Sequence, residues 1–394
     1  MLGALLQIFV GLVVSEWLSI ELFNNNEYSL HIKIVLCSSA INFLNNLFFM
    51  LLRFKRKSLH VVLINFMNLV LSCIIIIVLL DAGFALLAPV TGLVISNAVV
   101  FCFLVYFVKD DIGIKCSIYE FKVQLPFGFQ AVIIGLAYLS FDSLNRFFIN
   151  KYCSLSDVGI YSLGYQVSMA INILFVLPFS QIWAPMRMEY RYDDNADEFY
   201  RKILTYYVVI GLMVLVVVSL FAKEILILLG GHEEYIEAYR VVPYIMTGLL
   251  IYGSVNIIDY GIYFSRKIIY HAYIFGFVSF FAFLMNVLFV DKFGFIAAAM
   301  IIMVCYSLTA FLVFYVSNKL YRVPFETHRI VSTLVVCYVS LIAGSCGRFD
   351  DIYYCVFYKV MVVLNMTALI WKIVLNSNEK MKIASCLKMS LLIK

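Results

Sequence analysis

Residues 58–108 read SLHVVLINFMNLVLSCIIIIVLLDAGFALLAPVTGLVISNAVVFCFLVYFV, and they contain one formally charged side chain, Asp81. Two apolar runs, 59–80 and 84–108, flank the short turn Asp81-Ala82-Gly83-Phe84. Each run is long enough to cross the ~30 Å hydrocarbon layer as a helix, which needs about 20 apolar residues. Neither shows the polar stripe that a helix on a soluble core would carry. This stretch therefore predicts two membrane helices joined by a tight hairpin.

The pattern recurs along the whole chain of 394 residues. Apolar runs fall at 2–20, 30–52, 59–80, 84–108, 126–150, 159–186, 203–222, 241–264, 268–290, 294–318, 330–346 and 353–375. Hydrophobic residues make up 64% of the chain and charged residues 13%. A soluble domain is ~45–50% apolar and ~25% charged. The predicted class is an all-α, polytopic bundle of about twelve spans, in which each backbone group is satisfied within its own helix.

Net charge is +5, but the position of the cations argues for membrane topology and against nucleic acid. Lys and Arg concentrate on alternate connections: 53–57, 109–122, 187–202, 266–267, 319–329 and the tail from Lys372. The intervening connections hold only Lys33, Lys151, Lys223, Arg240, Lys292 and Arg348. By the positive-inside rule both termini are expected to be cytoplasmic. The first run starts at Leu2 without a basic flank and without the features of a signal peptide. Ten cysteines form no C-x-x-C pair; Cys346 and Cys355 flank one loop and are the single pairing considered. No cofactor, metal or ATPase motif is expected, and the chain lacks the signatures of metalloproteases and serine hydrolases.

An internal repeat is also predicted. Lys57 precedes Asp81 by the same separation as Lys267 precedes Asp291. Each Asp opens a short Gly-containing turn, D-A-G-F at 81–84 and D-K-F-G-F at 291–295. The following spans end alike, F-L-V-Y-F-V at 103–108 and F-L-V-F-Y-V at 311–316. An offset of six spans makes the repeat parallel, as in transporters built from two like-oriented bundles. The expected organisation is an incomplete four-span N-terminal lobe (1–108), a cytoplasmic connector (109–125) and a six-span C-terminal lobe (126–318). Two additional spans and a basic tail follow (319–394). On this scheme two helices are missing at the N-terminus.

Three motifs carry a family resemblance. The first is S-F-D-S-L-N-R-F-F-I-N-K-Y-C-S-L-S-D-V-G-I-Y-S-L-G-Y-Q at 140–166, the second F-S-Q-I-W-A-P at 179–185, and the third N-V-L-F-V-D-K-F-G-F-I-A-A-A at 286–299. Their order and spacing, from Leu125 to about Pro324, resemble the polysaccharide-lipid flippases of the multidrug/oligosaccharidyl-lipid/polysaccharide exporter superfamily. Asn145 stands where that family customarily has Asp before Arg146. The Asn-Arg pair lies on the fifth span, whereas the family carries its counterpart on the seventh. The resemblance implies translocation of undecaprenyl-diphosphate-linked oligosaccharide across the bacterial inner membrane for O-antigen, capsule or exopolysaccharide assembly. It also implies polysaccharide polymerase machinery as a partner.

Ionisable residues within spans are costly and usually face a partner or a cavity. Asp142 and Arg146 are four residues apart and share a helix face. Arg146 suits a diphosphate because its donor fork matches the oxygens; a self-compensating pair with Asp142 is the alternative. Asn145, Gln181 and Trp183 complete the expected substrate-binding set, with Trp183 able to stack on sugar or to lie at the interface, and Pro185 expected to end its helix. Asp259, with Asn256 beside it, is a coupling-ion site or a salt-bridge partner of Arg266 or Lys267. Glu16 is a weaker coupling candidate near the outer boundary. Lys359 is expected to snorkel to the interface. An exporter of small molecules, a polysaccharide polymerase and an inactive flippase remain the alternative functions.

Overall fold

The computed structural model describes residues 28–109 (except 56, 85 and 86), 143–189, 196–228, 233–347 (except 266), 352–374 and 379–381. Scattered positions at 11–20, 128, 132 and 135 are also described. The chain divides into two compact units, Met1–Ser117 and Ile118–Lys394.

The first unit contains α1 (Ser29–Phe54), α2 (Ser58–Asp81) and α3 (Leu87–Val108). The end of α1, the start of α2 and the end of α3 meet in a small core of Phe49, Leu52, Val61, Ile64, Val100, Leu104 and Val108. That grouping is what up-and-down helices with short connections produce. The turn after α2 closes as a Schellman motif, in which the Gly83 N–H donates to the Leu80 carbonyl and the Phe84 N–H to that of Leu79. Gly83 has φ +88°, a left-handed conformation open to glycine at little cost. Large side chains on α2 point outward, among them Leu63, Phe66, Leu69 and Ile77. Lipid accepts such a surface, whereas water would not.

The second unit begins its described helices at 143–152 and continues with α4 (Leu155–Ile171), α5 (Leu177–Glu189), α6 (Ala196–Leu220), α7 (Ala222–Leu228) and α8 (Val242–Ile258). It closes with α9 (Tyr260–Phe264), α10 (Ile269–Leu320), α11 (Thr327–Cys346) and α12 (Ile352–Ile373). The α8–α9 run is the unit's central element: 83% of its most apolar window is buried, against 11% for α2. Ser154 and Asp157 form a capping box that starts α4. A π-helical turn, Asn172–Val176, separates α4 from α5. Pro178 follows it and has no N–H to donate into the preceding turn, which is a local reason for the wider turn. Pro185, expected to stop the helix, does not; α5 runs on to Glu189.

Residues 269–320 keep helical hydrogen bonding, but a straight helix of that length would span about 78 Å, far beyond a bilayer. Gly294 breaks it with φ +64° and ψ −153°. Phe275 and Tyr306, on either side of that glycine, both pack against Tyr252, so the run folds back as two spans. Among the described residues nine helices are long and apolar enough to cross a membrane, and the folded-back α10 supplies a tenth crossing. The first and fifth expected spans lie largely outside the described residues. The architecture is thus an all-α, polytopic membrane protein with ten crossings among the described residues, in keeping with about twelve in all.

One smaller expectation is corrected. Lys359 does not snorkel: it is 8% exposed and its ammonium pairs with Glu224, which α7 carries to it. A buried cation needs such a partner. Cys346 and Cys355 are both free thiols.

Candidate functional site

Trp183 and Arg187 stand four residues apart on one face of α5, directed at the junction of α8 and α9. Asp259 occupies that junction with φ −79° and ψ 4°, outside the helical well, while helical hydrogen bonds continue across it, from its N–H to the Val255 carbonyl and from the Tyr263 N–H to its own carbonyl. The Arg187 Nη1 donates to Asp259 Oδ1 at 3.1 Å and to the Asn256 carbonyl at 3.1 Å. The Trp183 Nε1–H donates to the same carbonyl at 2.8 Å. The Arg187 guanidinium lies 3.7 Å from the centre of the Tyr263 ring, a cation–π contact. His271, near the start of α10, places Nε2 3.4 Å from the other Asp259 oxygen, Oδ2. One carboxylate thus ties three helices together. Its side chain is 10% exposed and that of Arg187 15%, so the attraction is only lightly screened by solvent.

Of the sequence-predicted residues, the structure brings Trp183, Asn256 and Asp259 together around Arg187. Asp259 is buried and paired with Arg187 and His271, not with Lys267. Arg266 lies outside the described residues. Asn256 takes part through its backbone carbonyl, while its side chain is exposed. Trp183 is 2% exposed, stacked between Phe179 and Phe199 with Tyr200 at its edge. Both ring faces are occupied, so it holds the cluster and has no face for a sugar. Gln181, two residues earlier, is exposed on a different face.

Asn145 and Arg146 are adjacent and both reach tyrosines of α4, but they differ in burial. Asn145 is buried and its Nδ2 donates to the Tyr161 hydroxyl at 3.4 Å, bracing 143–152 against α4. Arg146 is exposed, with its guanidinium 5.2 Å from the Tyr165 ring. Asp142 lies outside the described residues. Glu16 is a surface residue, 65% exposed and 3.4 Å from Lys33.

Sequence reasoning overlooked Arg187 and His271. Arg187 was placed in a loop because Pro185 was expected to end the helix, which in fact continues to Glu189 and puts Trp183 and Arg187 on one face. His271 had no local signal. Among the described residues no group of three His, Cys, Asp or Glu side chains could hold a metal ion.

Residues 1–238 match the model of a family described as polysaccharide biosynthesis protein. Among solved structures, the chain is similar to the lipid II flippase MurJ in its inward closed conformation, with a TM-score of 0.73. The match covers 94% of this chain and 82% of that one at 14% sequence identity. At that identity the likeness is one of fold. No curated protein sequence matches the chain.

Proposed function

The chain belongs to the polysaccharide biosynthesis protein family, and on that premise we propose that it is a flippase for undecaprenyl-diphosphate-linked oligosaccharide. It moves these units from the inner to the outer face of the bacterial inner membrane, where they feed O-antigen, capsule or exopolysaccharide assembly. The observation that carries this reading is the fold: 94% of the chain follows a lipid II flippase at a TM-score of 0.73. A transporter is favoured over an enzyme on the same ground. Both termini face the cytoplasm, and a polysaccharide polymerase takes the product.

Arg146 meets the diphosphate, whose oxygens suit its planar fork. Asp142 orients it, and Asn145 fixes the same helix against α4 through Tyr161. Alternating access requires an element with two discrete arrangements. The non-helical ψ of Asp259, between α8 and α9, marks the hinge, and the Arg187–Asp259–His271 cluster is the latch that holds it. Trp183 positions Arg187, and Gln181 and Glu16 play lesser parts.

Complementation of a flippase-deficient strain tests this proposal. The parent chain is expected to restore surface polysaccharide. Arg146→Ala is expected to lower it about tenfold or more, and Arg146→Lys to lie between, since a charge remains but the bidentate geometry does not. Full function of Arg146→Ala at equal membrane abundance refutes the diphosphate role. A membrane-inserted parent that restores nothing refutes the flippase reading.

A further inference from the structure

The first unit holds a cavity of about 570 Å³ between α1 and α3. Its polar wall consists of Ser38, Ser39, Asn42, Asn46 and Asn97, with Phe43 as the aromatic element. On α1 these positions recur at three- and four-residue intervals, so they share one face. They also sit at mid-helix: Asn42 is close to the centre of α1, and Asn97 to the centre of α3. That is the depth at which transporters place their substrate sites.

Carboxamides at this depth are expensive against lipid, so a face that presents three of them needs a polar occupant. They are also held in place. The Asn46 Nδ2 donates to Asn42 Oδ1 at 2.7 Å, and Asn97 donates to the Ser38 hydroxyl at 3.2 Å. Behind them Asn45 donates to the Asn97 carbonyl and Asn68 to its side-chain oxygen.

The chemistry of this wall selects its ligand. A prenyl tail offers no hydrogen bonds. A diphosphate or a uronate demands a cation, and no Lys or Arg lines the cavity. Hydroxyl and acetamido groups both donate and accept, as do the carboxamides facing them, and a sugar ring packs its C–H face on an aromatic such as Phe43. We propose that this groove binds the uncharged sugar residues of the transported glycan, and that Asn42 and Asn46 discriminate for neutral over acidic repeat units. This assignment rests on the flippase reading and adds the substrate class to it.

The test uses the purified full chain in lipid nanodiscs and equilibrium binding of three radiolabelled probes. These are undecaprenyl diphosphate, the same lipid carrying a neutral N-acetylhexosamine–hexose disaccharide, and a version in which the hexose is a uronate. Wild type is expected to bind the neutral glycolipid about tenfold tighter than the bare lipid, the effect of two or so net hydrogen bonds. It is expected to bind the uronate probe no tighter than the bare lipid. The double variant Asn42→Leu/Asn46→Leu should lose the tenfold increment while binding of the bare lipid stays unchanged. Asn42 and Asn46 are exposed and bonded to each other, so the exchange leaves the Asn97 network intact. A retained increment in the variant overturns the groove assignment, as does an equal fall for all three probes, which would mark the amides as structural. Failure of wild type to bind even the bare lipid overturns the flippase reading first and the groove with it.

Discussion

Replacing Arg187 by Gln removes the principal cation beside Asp259, and the consequence can be worked from the geometry. The pair lies at 3.1 Å with side chains 15% and 10% exposed. Breaking a buried ion pair from one side costs ~3–5 kcal/mol because the other charge is left without compensation. The residual exposure argues for the lower end, about 3 kcal/mol. Loss of the cation–π contact with Tyr263, at 3.7 Å, adds roughly 1 kcal/mol. Asp259→Asn leaves Arg187 its bonds to the Asn256 carbonyl and its place over Tyr263, so about 2–3 kcal/mol is expected. In the double variant neither charge is stranded. Its cost should fall about 2 kcal/mol short of the sum of the single variants. Urea unfolding of the purified protein in detergent measures all four corners of the cycle. Trp183, one of three tryptophans, donates to the Asn256 carbonyl, so with Trp17 and Trp371 replaced by Phe its fluorescence reports from the cluster. Additivity to within about 0.5 kcal/mol would refute the coupling, and with it the latch on which the hinge argument depends.

A Cβ on Gly261 would stand 2.3 Å from the Ser317 carbonyl oxygen and 2.9 Å from its carbon, backbone atoms that cannot yield. Gly261→Ala should therefore cost ~1–3 kcal/mol or more by forcing α9 away from α10. Gly276→Ala, with open space around it, should be neutral or slightly stabilising in the same melt, and equal losses at the two sites would refute the close-approach argument. Burial chiefly, and then the Asp157 and Asp291 carboxylates, push the Cys153 thiol up from its ordinary value of 9.0. A raised value means less thiolate at a given pH, so alkylation of Cys153 should lag that of exposed Cys346 at pH 8 and still be climbing above pH 9; equal rates by peptide mass spectrometry would contradict this.

Much of the fold was legible in the sequence because a bilayer imposes a one-dimensional rule. Each crossing needs a long apolar run whose backbone is satisfied locally, so runs such as 59–80 and 84–108 declare themselves without any partner. The hairpin glycines were legible for a similar reason. Gly83 and Gly294 both adopt positive φ in the turns expected after Asp81 and Asp291. The shared face of Trp183 and Arg187 was not legible, because Pro185 was expected to end the helix that in fact runs on to Glu189.

Which polar group meets which was decided only by the tertiary structure. Asn145 and Arg146 are neighbours in sequence, yet one is buried against Tyr161 and the other exposed. Lys359 looked like an interfacial cation until α7 brought Glu224 to it. Asp259 found Arg187, 72 residues away, rather than a nearby Lys or Arg. Periodicity determines the direction a side chain takes from its own helix axis. The partner that direction reaches depends on how separate helices pack and where they bend, and those non-local terms have no signature in a local run of residues.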